Sequence, residues 1–352
     1  MRKNVPVFFV LALAMLLFAF TFSAMAKGGA HVTLSVDKTA FAENDSVTVS
    51  VTISNPSKGA LRLLKWDTPF EDVEESLFEV TRDGIPVEYI GAHYKRPQPE
   101  DGDFIILRSG ESFTRTINLA DYYDLSVSGS YLVNYNVKSL NLYTPQERVA
   151  NRQIESLKSD SVNLFIEGRA AKTPEAQAPS AVSGTSSFTK CTATQQSSIL
   201  TARNDAAVYA SDSLSYLNSG ATSARYTTWF GAYTSSRYNT VKGNFTNIKN
   251  AMDTASMNFD CGCKKRYYAY VYANQPYNIY LCSVYWQAPA KGTDSKAGTL
   301  IHETSHFSIV AGTDDWVYGQ SGAKNLAISD PNKAVDNADS HEYFAENTPF
   351  QP

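Results

Sequence analysis

The sequence has few histidines and few cysteines, and this scarcity makes their placement informative. Five histidines and four cysteines occur in 352 residues, and every cysteine lies after residue 190. The first half therefore contains no disulfide, which excludes a domain built like an antibody domain around a cysteine pair. Three of the five histidines lie at or after residue 302, so the search for a metal or catalytic site begins there.

A strong net charge and a second long apolar run are also absent. The formal net charge is −4, which favours neither nucleic acid nor an anionic membrane as a partner. The apolar run Val7–Phe22 follows Arg2 and Lys3 and precedes the small-residue cleavage pattern Ala24-Met25-Ala26. We interpret residues 1–26 as a secretory signal peptide, since the run is somewhat short for an uncleaved membrane anchor. The sequence therefore predicts a secreted protein with no membrane attachment once the signal is removed.

Residues 27–168 are predicted to form an immunoglobulin-like antiparallel β-sandwich. About seven short segments alternate apolar and polar residues and are separated by turn signals. His31 and His93 are isolated in this region, and an isolated histidine is expected to be structural or exposed. The acidic cluster at 71–75 is interpreted as a solvated loop. The predicted strands cover residues 31–36, 46–54, 77–82, 103–107, 112–119, 131–139 and 161–168.

A change in composition indicates a boundary between two domains. Residues 169–190 are rich in Ala, Pro, Ser, Thr and Gly, which is typical of an exposed linker that proteases cut. Residues 191–352 are predicted to form a mainly helical domain with a small β-hairpin. Its helices are expected over residues 192–218, over 235–255 and from 296 onward, and its two strands over 267–272 and 277–284.

The four cysteines, all in the second domain or at its start, indicate two disulfides in an exported protein. They are Cys191, Cys261, Cys263 and Cys282. Cys261 and Cys263 are too close in the chain to pair comfortably with each other. A cysteine zinc site is the alternative, although the paired C-x-x-C spacing typical of such sites is missing.

His302, Glu303 and His306 form the pattern H-E-x-x-H. Because residues four apart share a helix face, the two histidines can bind one metal ion. Zinc held by two imidazoles has room for a third protein ligand and a water molecule, whose pKa it lowers. Glu303 can then take a proton from that water. A chance match on a surface helix is the alternative, but apolar neighbours such as Leu300 and Phe307 favour a packed helix at the base of a cleft.

The third zinc ligand cannot be assigned from this pattern alone. Thermolysin-like enzymes use a glutamate from a later helix, and other zincins use a histidine after a glycine turn. Here no histidine follows before His341, and the turn reads GTDDWVYG over residues 312–319.

The two patterns together resemble the aspzincin family, the deuterolysin and peptidyl-lysine metalloendopeptidase group. Its marks are H-E-x-x-H followed by G-T-x-D-x-x-Y-G, and HETSH (302–306) and GTDDWVYG (312–319) match both without departure. The resemblance implies one zinc ion per chain, with Asp315 as the third ligand beside His302 and His306. It also implies that Tyr318 lies over the metal and donates a hydrogen bond to the developing oxyanion.

The likeness to the peptidyl-lysine branch extends over about residues 187–350. It implies the disulfide pairs Cys191–Cys261 and Cys263–Cys282. The first domain lies outside this match and is similar to the propeptide domain of bacterial members.

Asp339 and Glu342 are three residues apart, so they project together from a helix. By themselves they would be surface acids. The resemblance implies that they form a pocket for a lysine side chain on the leaving-group side of the scissile bond, because a compact ammonium suits such an acidic wall better than the wider arginine fork. His341 lies between them and is expected to face elsewhere.

The sequence thus predicts a secreted, monomeric zinc endopeptidase that cuts proteins or peptides before lysine. The first domain would be a propeptide that assists folding and blocks the cleft, and Ala171–Lys172 in the linker is the candidate for self-cleavage. One alternative is a broader deuterolysin-like protease without lysine preference. Another is a protease whose β-sandwich is retained as a binding module.

Overall fold

The computed structural model describes residues 29–139, 141–143, 155–170 and 184–352. The predicted signal peptide and the candidate processing site Ala171–Lys172 lie outside these residues. The described strands are β1 (His31–Ser35), β2 (Ala40–Phe41), β3 (Thr48–Ser54), β4 (Leu61–Leu64), β5 (Phe78–Arg82), β6 (Ile85–Pro86), β7 (Ala92–Lys95), β8 (Phe104–Leu107), β9 (Ser112–Asn118), β10 (Gly129–Ser139), β11 (Glu155–Lys158), β12 (Val162–Ile166), β13 (Ser186–Thr189), β14 (Met257–Asp260), β15 (Ala269–Tyr272) and β16 (Asn278–Leu281). The described helices are α1 (Ala193–Asn218), α2 (Ala224–Phe230), α3 (Ser235–Thr254), α4 (Lys296–His306), α5 (Gly319–Ser329), α6 (Pro331–Ala334) and α7 (Ala338–Glu346).

The first domain, residues 29–170 as described, is built from β-sheets. One sheet has the order β1-β3-β9 and another the order β2-β12-β10-β5-β6, with β11 paired to β10. Alternation in β3 places Val49, Val51 and Ile53 inward, and these side chains share one hydrophobic core with residues of β5, β10 and β12. Each of the seven predicted strands is present, whereas β2, β4, β6, β7 and β11 were not predicted. The immunoglobulin-like connectivity stays a prediction.

The second domain, residues 184–352, packs helices against a sheet. Buried residues of α1, α3 and α4 join the sheet residues in one core. Disulfides Cys191–Cys261 and Cys263–Cys282 tie the strand ends, with the pairing that the family resemblance implies. The predicted helices at 192–218 and 235–255 correspond to α1 and α3. Residues 169–190 were predicted to be an exposed linker, but Ser186–Thr189 at its end forms β13 and pairs in parallel with β14.

Helix α4 lies inside the second domain. The Ser295 side chain accepts a hydrogen bond from the Gly298 amide and caps the helix start. Residues 297–306 are all buried. A Cβ atom on Gly298 would lie only 2.1 Å from Oε1 of Glu346, so this glycine permits α7 to pack closely on α4. The contact brings the acidic face of α7 beside His302.

Strand β7 of the first domain is the edge strand of the second domain's sheet, which has the order β13-β14-β16-β15-β7. It runs antiparallel to β15, with Lys95 opposite Ala269 and His93 opposite Val271. Because side chains alternate along a strand, His93 and Lys95 project from one face, while Tyr94 projects from the other. The two domains are therefore joined by a shared sheet, which the sequence did not predict.

Candidate active site

The two histidines of H-E-x-x-H and Asp315 converge on one point. The Nε2 atoms of His302 and His306 are 3.2 Å apart. His302 Nε2 lies 3.3 Å from Asp315 Oδ1, and His306 Nε2 lies 3.3 Å from Asp315 Oδ2. A tetrahedral zinc ion with ligand bonds of about 2.0 Å separates its ligand atoms by about 3.3 Å. The three donor groups therefore have the spacing that zinc requires.

Hydrogen bonds fix which nitrogen of each ring faces that point. His306 Nδ1 lies 2.7 Å from the carbonyl oxygen of Thr313, and His302 Nδ1 lies 2.8 Å from Asp339 Oδ1. A carbonyl or carboxylate only accepts, so each Nδ1 carries a proton and Nε2 is the nitrogen of each ring that would bind a metal. The two Nε2 atoms, 3.2 Å apart, face the same point as the Asp315 carboxylate.

The turn that carries Asp315 is held by backbone contacts. The Asp314 amide donates to the Asp336 carbonyl at 2.7 Å. The Asn337 side chain accepts from the amides of Trp316 and Val317 at 3.0 and 3.1 Å. Burial would raise the pKa of Asp315, but His306 and His302 hold it well below its usual range. Asp315 is therefore a fixed carboxylate anion, as a metal ligand must be.

Glu303 is buried, and among the described residues neither of its carboxylate oxygens has a hydrogen-bond partner. Burial raises the pKa of Glu303 to about 7. A carboxyl group with a near-neutral pKa can both accept and return a proton at neutral pH. This environment suits a general base next to a metal ion.

The Tyr318 hydroxyl is hydrogen-bonded to the first domain. Its hydroxyl donates to Glu75 Oε1 at 2.8 Å. Burial, together with Asp315 and Glu75, raises the pKa of Tyr318 well above its usual value, so the phenol keeps its proton. Arg96 donates to the same Glu75 Oε1 at 3.0 Å. The interpretation of residues 71–75 as a solvated loop was wrong at Glu75, because the side chain binds both an arginine and the site tyrosine.

Asp339 and Glu342 of α7 form an acidic pocket, and the first domain fills it with Lys95. The Lys95 ammonium lies 2.7 Å from Glu342 Oε2, 3.3 Å from Asp294 Oδ1 and 3.6 Å from Asp339 Oδ1. The Lys95 side chain is 1% exposed, and its nitrogen lies 4.8 Å from the ring centroid of Tyr268. Burial would lower the pKa of Lys95, but the three carboxylates raise it well above its usual value. The ammonium is therefore charged and fully paired.

The acidic pocket shares a residue with the metal point, which is the place where the side chains of His302, His306 and Asp315 meet. Asp339 Oδ1 lies 2.8 Å from His302 Nδ1 and 3.6 Å from the Lys95 ammonium. The sequence predicted Asp339 and Glu342 but missed Asp294, which approaches from the turn before α4. Asp294 receives a hydrogen bond from the Tyr343 hydroxyl at 2.7 Å. No local pattern marks a single aspartate in a turn, so only the folded structure reveals it.

His93 also lies at the site, contrary to the expectation that it is an isolated structural residue. Its ring stacks on His306 with centroids 4.6 Å apart and an interplanar angle of 23°. Its Nδ1 is 3.7 Å from Asp314 Oδ1. Burial and His306 lower the pKa of His93 to about 3, so the ring is neutral. His341, in contrast, faces away as expected and bonds to Asn244 at 3.0 Å.

Comparison with known proteins identifies the family. Residues 215–346 match the aspzincin family, described as lysine-specific metallo-endopeptidase. An extracellular protease of Aeromonas hydrophila is 46% identical over 316 residues, which cover 87% of this chain and 90% of that protein. The chain belongs to the aspzincin family. The family resemblance inferred from residues 302–319 is thereby confirmed, and this aspzincin is a zinc metalloendopeptidase.

Other relatives of this aspzincin carry a more specific name. A peptidyl-Lys metalloendopeptidase of Grifola frondosa is 38% identical over 303 residues, covering 84% of each protein. One from Pleurotus ostreatus is 52% identical over 164 residues, covering 46% of this chain and 97% of that protein. The solved zinc peptidase from Grifola frondosa is 49% identical, covers 46% of this chain and 100% of that chain, and has a TM-score of 0.45. Within the described residues, no helix is both long and apolar enough to cross a bilayer.

Proposed function

We propose that this aspzincin is a secreted endopeptidase that cuts peptide bonds before lysine and is made as a latent precursor. The observation that carries the proposal is the position of Lys95. A lysine of the first domain occupies an acidic pocket that shares Asp339 with the metal point. Secretion is supported by residues 1–26 and by the extracellular relative.

The roles of the site residues follow from their chemistry. His302, His306 and Asp315 are proposed to hold one zinc ion, which when bound lowers the pKa of water and polarises the substrate carbonyl. Glu303 takes the proton from the attacking water and returns it to the leaving amine. Tyr318, once free of the first domain, donates a hydrogen bond to the oxyanion.

Lysine preference is supported by the carboxylates of the pocket, which together pair with one ammonium group. Its three carboxylates, from Asp294, Asp339 and Glu342, surround one nitrogen within 3.6 Å. A neutral side chain of similar length would leave the buried charges of Asp339 and Glu342 unpaired, which costs several kcal/mol. Arginine would have to fit a planar fork into a space matched to a compact ammonium. Substrates with lysine after the scissile bond are therefore favoured.

Latency is supported by the groups that the first domain occupies. Strand β7 lies along β15 at the edge of the catalytic sheet, in the manner of an extended peptide. Lys95 fills the acidic pocket and Glu75 binds the Tyr318 hydroxyl. Substrate could enter only after the first domain leaves. A cut at Ala171–Lys172 would begin that release, and the Pleurotus enzyme of about one-domain length is consistent with a mature form without it.

Removal of metal is expected to abolish peptidase activity of the matured protein. A chelator such as 1,10-phenanthroline competes for an ion held by only three protein donors, and added Zn²⁺ should restore the rate. Casein hydrolysis provides the measurement, with a serine-protease inhibitor as the control that should have no effect. Full activity after complete loss of metal would contradict the zinc site.

Replacing Glu342 by glutamine is expected to weaken lysine selectivity. Loss of one partner of a buried charge pair costs about 2–5 kcal/mol, so kcat/KM for a peptide with Lys after the scissile bond should fall roughly 100-fold. The same peptide with Leu at this position should change little. Asp253→Asn, at an exposed position on α3, is the matched control. Equal losses on both peptides would show that Glu342 supports the fold and not the selectivity.

A further inference from the structure

His93 has no role in the proposed hydrolysis, yet it lies against the metal-binding residues. His93, His306 and Asp315 each have one potential ligand atom, and these three atoms lie within 4.8 Å of one another. These atoms come from both domains, since His93 belongs to β7 while the other two belong to α4 and the turn after it. His93 is 9% exposed, so its ring is held in place by the contact between the domains.

The position of His93 is set by the register of β7. Pairing of His93 with Val271 and of Lys95 with Ala269 directs both side chains to the same face. Glu342 holds the Lys95 ammonium at 2.7 Å. His93 is two residues earlier on the same strand, and this contact places it beside the metal point. The ion pair thus acts as an anchor that places an imidazole at the metal.

The three donors of the second domain leave one tetrahedral position vacant for a fourth ligand. In a catalytic zinc site that position holds water, and in a closed structural site it holds a protein donor. A neutral imidazole is a common zinc ligand. His93 offers one, stacked at 4.6 Å on a histidine that belongs to the site, with a potential ligand atom within 4.8 Å of those of His306 and Asp315.

We propose that His93 is a fourth zinc ligand in the latent protein and takes the position that the attacking water needs. The precursor would then contain a closed three-histidine, one-aspartate site, and departure of the first domain would open it. This inference rests on the proposed zinc site and on latency. It differs from simple blocking of the cleft, because it concerns the metal's own coordination.

X-ray absorption at the zinc edge tests the proposal directly in the full-length chain. The protein carries Glu303→Gln, so that it stays uncut, and is loaded with one equivalent of Zn²⁺. The outer-shell scattering should fit three imidazoles, and in the His93→Phe variant it should fit two. Phenylalanine keeps an aromatic ring on His306 but has no donor atom. His31→Gln, at an exposed position, is the matched control and should fit three.

Release of zinc to a chromogenic chelator gives a second readout. The His93→Phe variant should release its zinc at least tenfold faster than the parent, and a His93→Leu variant, which also lacks a donor atom, should do the same if the missing donor is the cause. The role of His93 would be overturned if the parent spectrum fitted two imidazoles, or if parent and variants released zinc at equal rates. Neither result would contradict the proposed zinc site. A parent that binds no zinc would overturn both the role of His93 and the zinc site.

Discussion

Replacing Lys95 by alanine is expected to release peptidase activity from the full-length chain before its linker is cut. The alanine removes an ammonium that pairs with Glu342, Asp294 and Asp339, and leaves two buried carboxylates and the partly exposed Asp294 without their cation. Breaking such a pair costs about 3–5 kcal/mol, so the first domain should hold the cleft at least roughly 100-fold more weakly. The substitution also empties the pocket that substrate needs.

The measurement is the initial rate on an internally quenched peptide containing one lysine. It uses a chain in which Lys172→Gln protects the linker, so that release of activity and cleavage are separated. Lys95→Arg should give an intermediate rate, because a guanidinium keeps the charge but fits a compact pocket poorly. Lys58→Ala, at an exposed position of the same domain, should remain latent. An equally latent Lys95→Ala chain would show that the acidic pocket does not hold the first domain.

Replacing Glu303 by glutamine is expected to remove nearly all hydrolysis and to leave the full-length chain uncut. Glutamine has the same shape and cannot accept the proton of the attacking water, and loss of a general base typically costs about 10²–10⁴-fold in rate. The side chain makes no hydrogen bond to another described residue, so the fold should be unaffected. Bound zinc and the thermal unfolding midpoint should match those of the parent.

Intact mass and N-terminal sequencing of the secreted protein read out processing in the same experiment. The parent and the Asp253→Asn control should lose the first domain, and the Glu303→Gln chain should keep it. Normal maturation of that variant would mean that another protease makes the cut. A mature parent chain that begins near Lys27 would show that the first domain is retained as a binding module.

The prediction of the metal point used one short stretch, through the local H-E-x-x-H pattern and the family resemblance of the turn after it. A helix places residues four apart on one face, and the turn after α4 follows within nine residues of His306, so one short stretch contains His302, Glu303, His306 and Asp315. Seven strands of the first domain were predicted for a similar reason. Alternation such as that of β3 depends only on which face is buried.

What the sequence did not reveal depends on contacts between distant segments. Strand β7 is four residues long and lacks a clear alternating pattern, and its partner β15 lies more than 170 residues later. Without that pairing, His93 is an isolated histidine and Lys95 an ordinary surface cation. Glu75 likewise gains its role only when the domains meet, since its partner Tyr318 belongs to the other domain.

Mapping of cleavage sites in a denatured protein by mass spectrometry tests the central claim most directly. The enzyme used is the matured form, at low conversion, with the Glu342→Gln variant alongside. If the pocket that holds Lys95 is the substrate's lysine site, nearly all new N-termini will begin with lysine, and the variant will lose this bias. New N-termini scattered among many residue types, with lysine no more frequent than its abundance, would contradict the account.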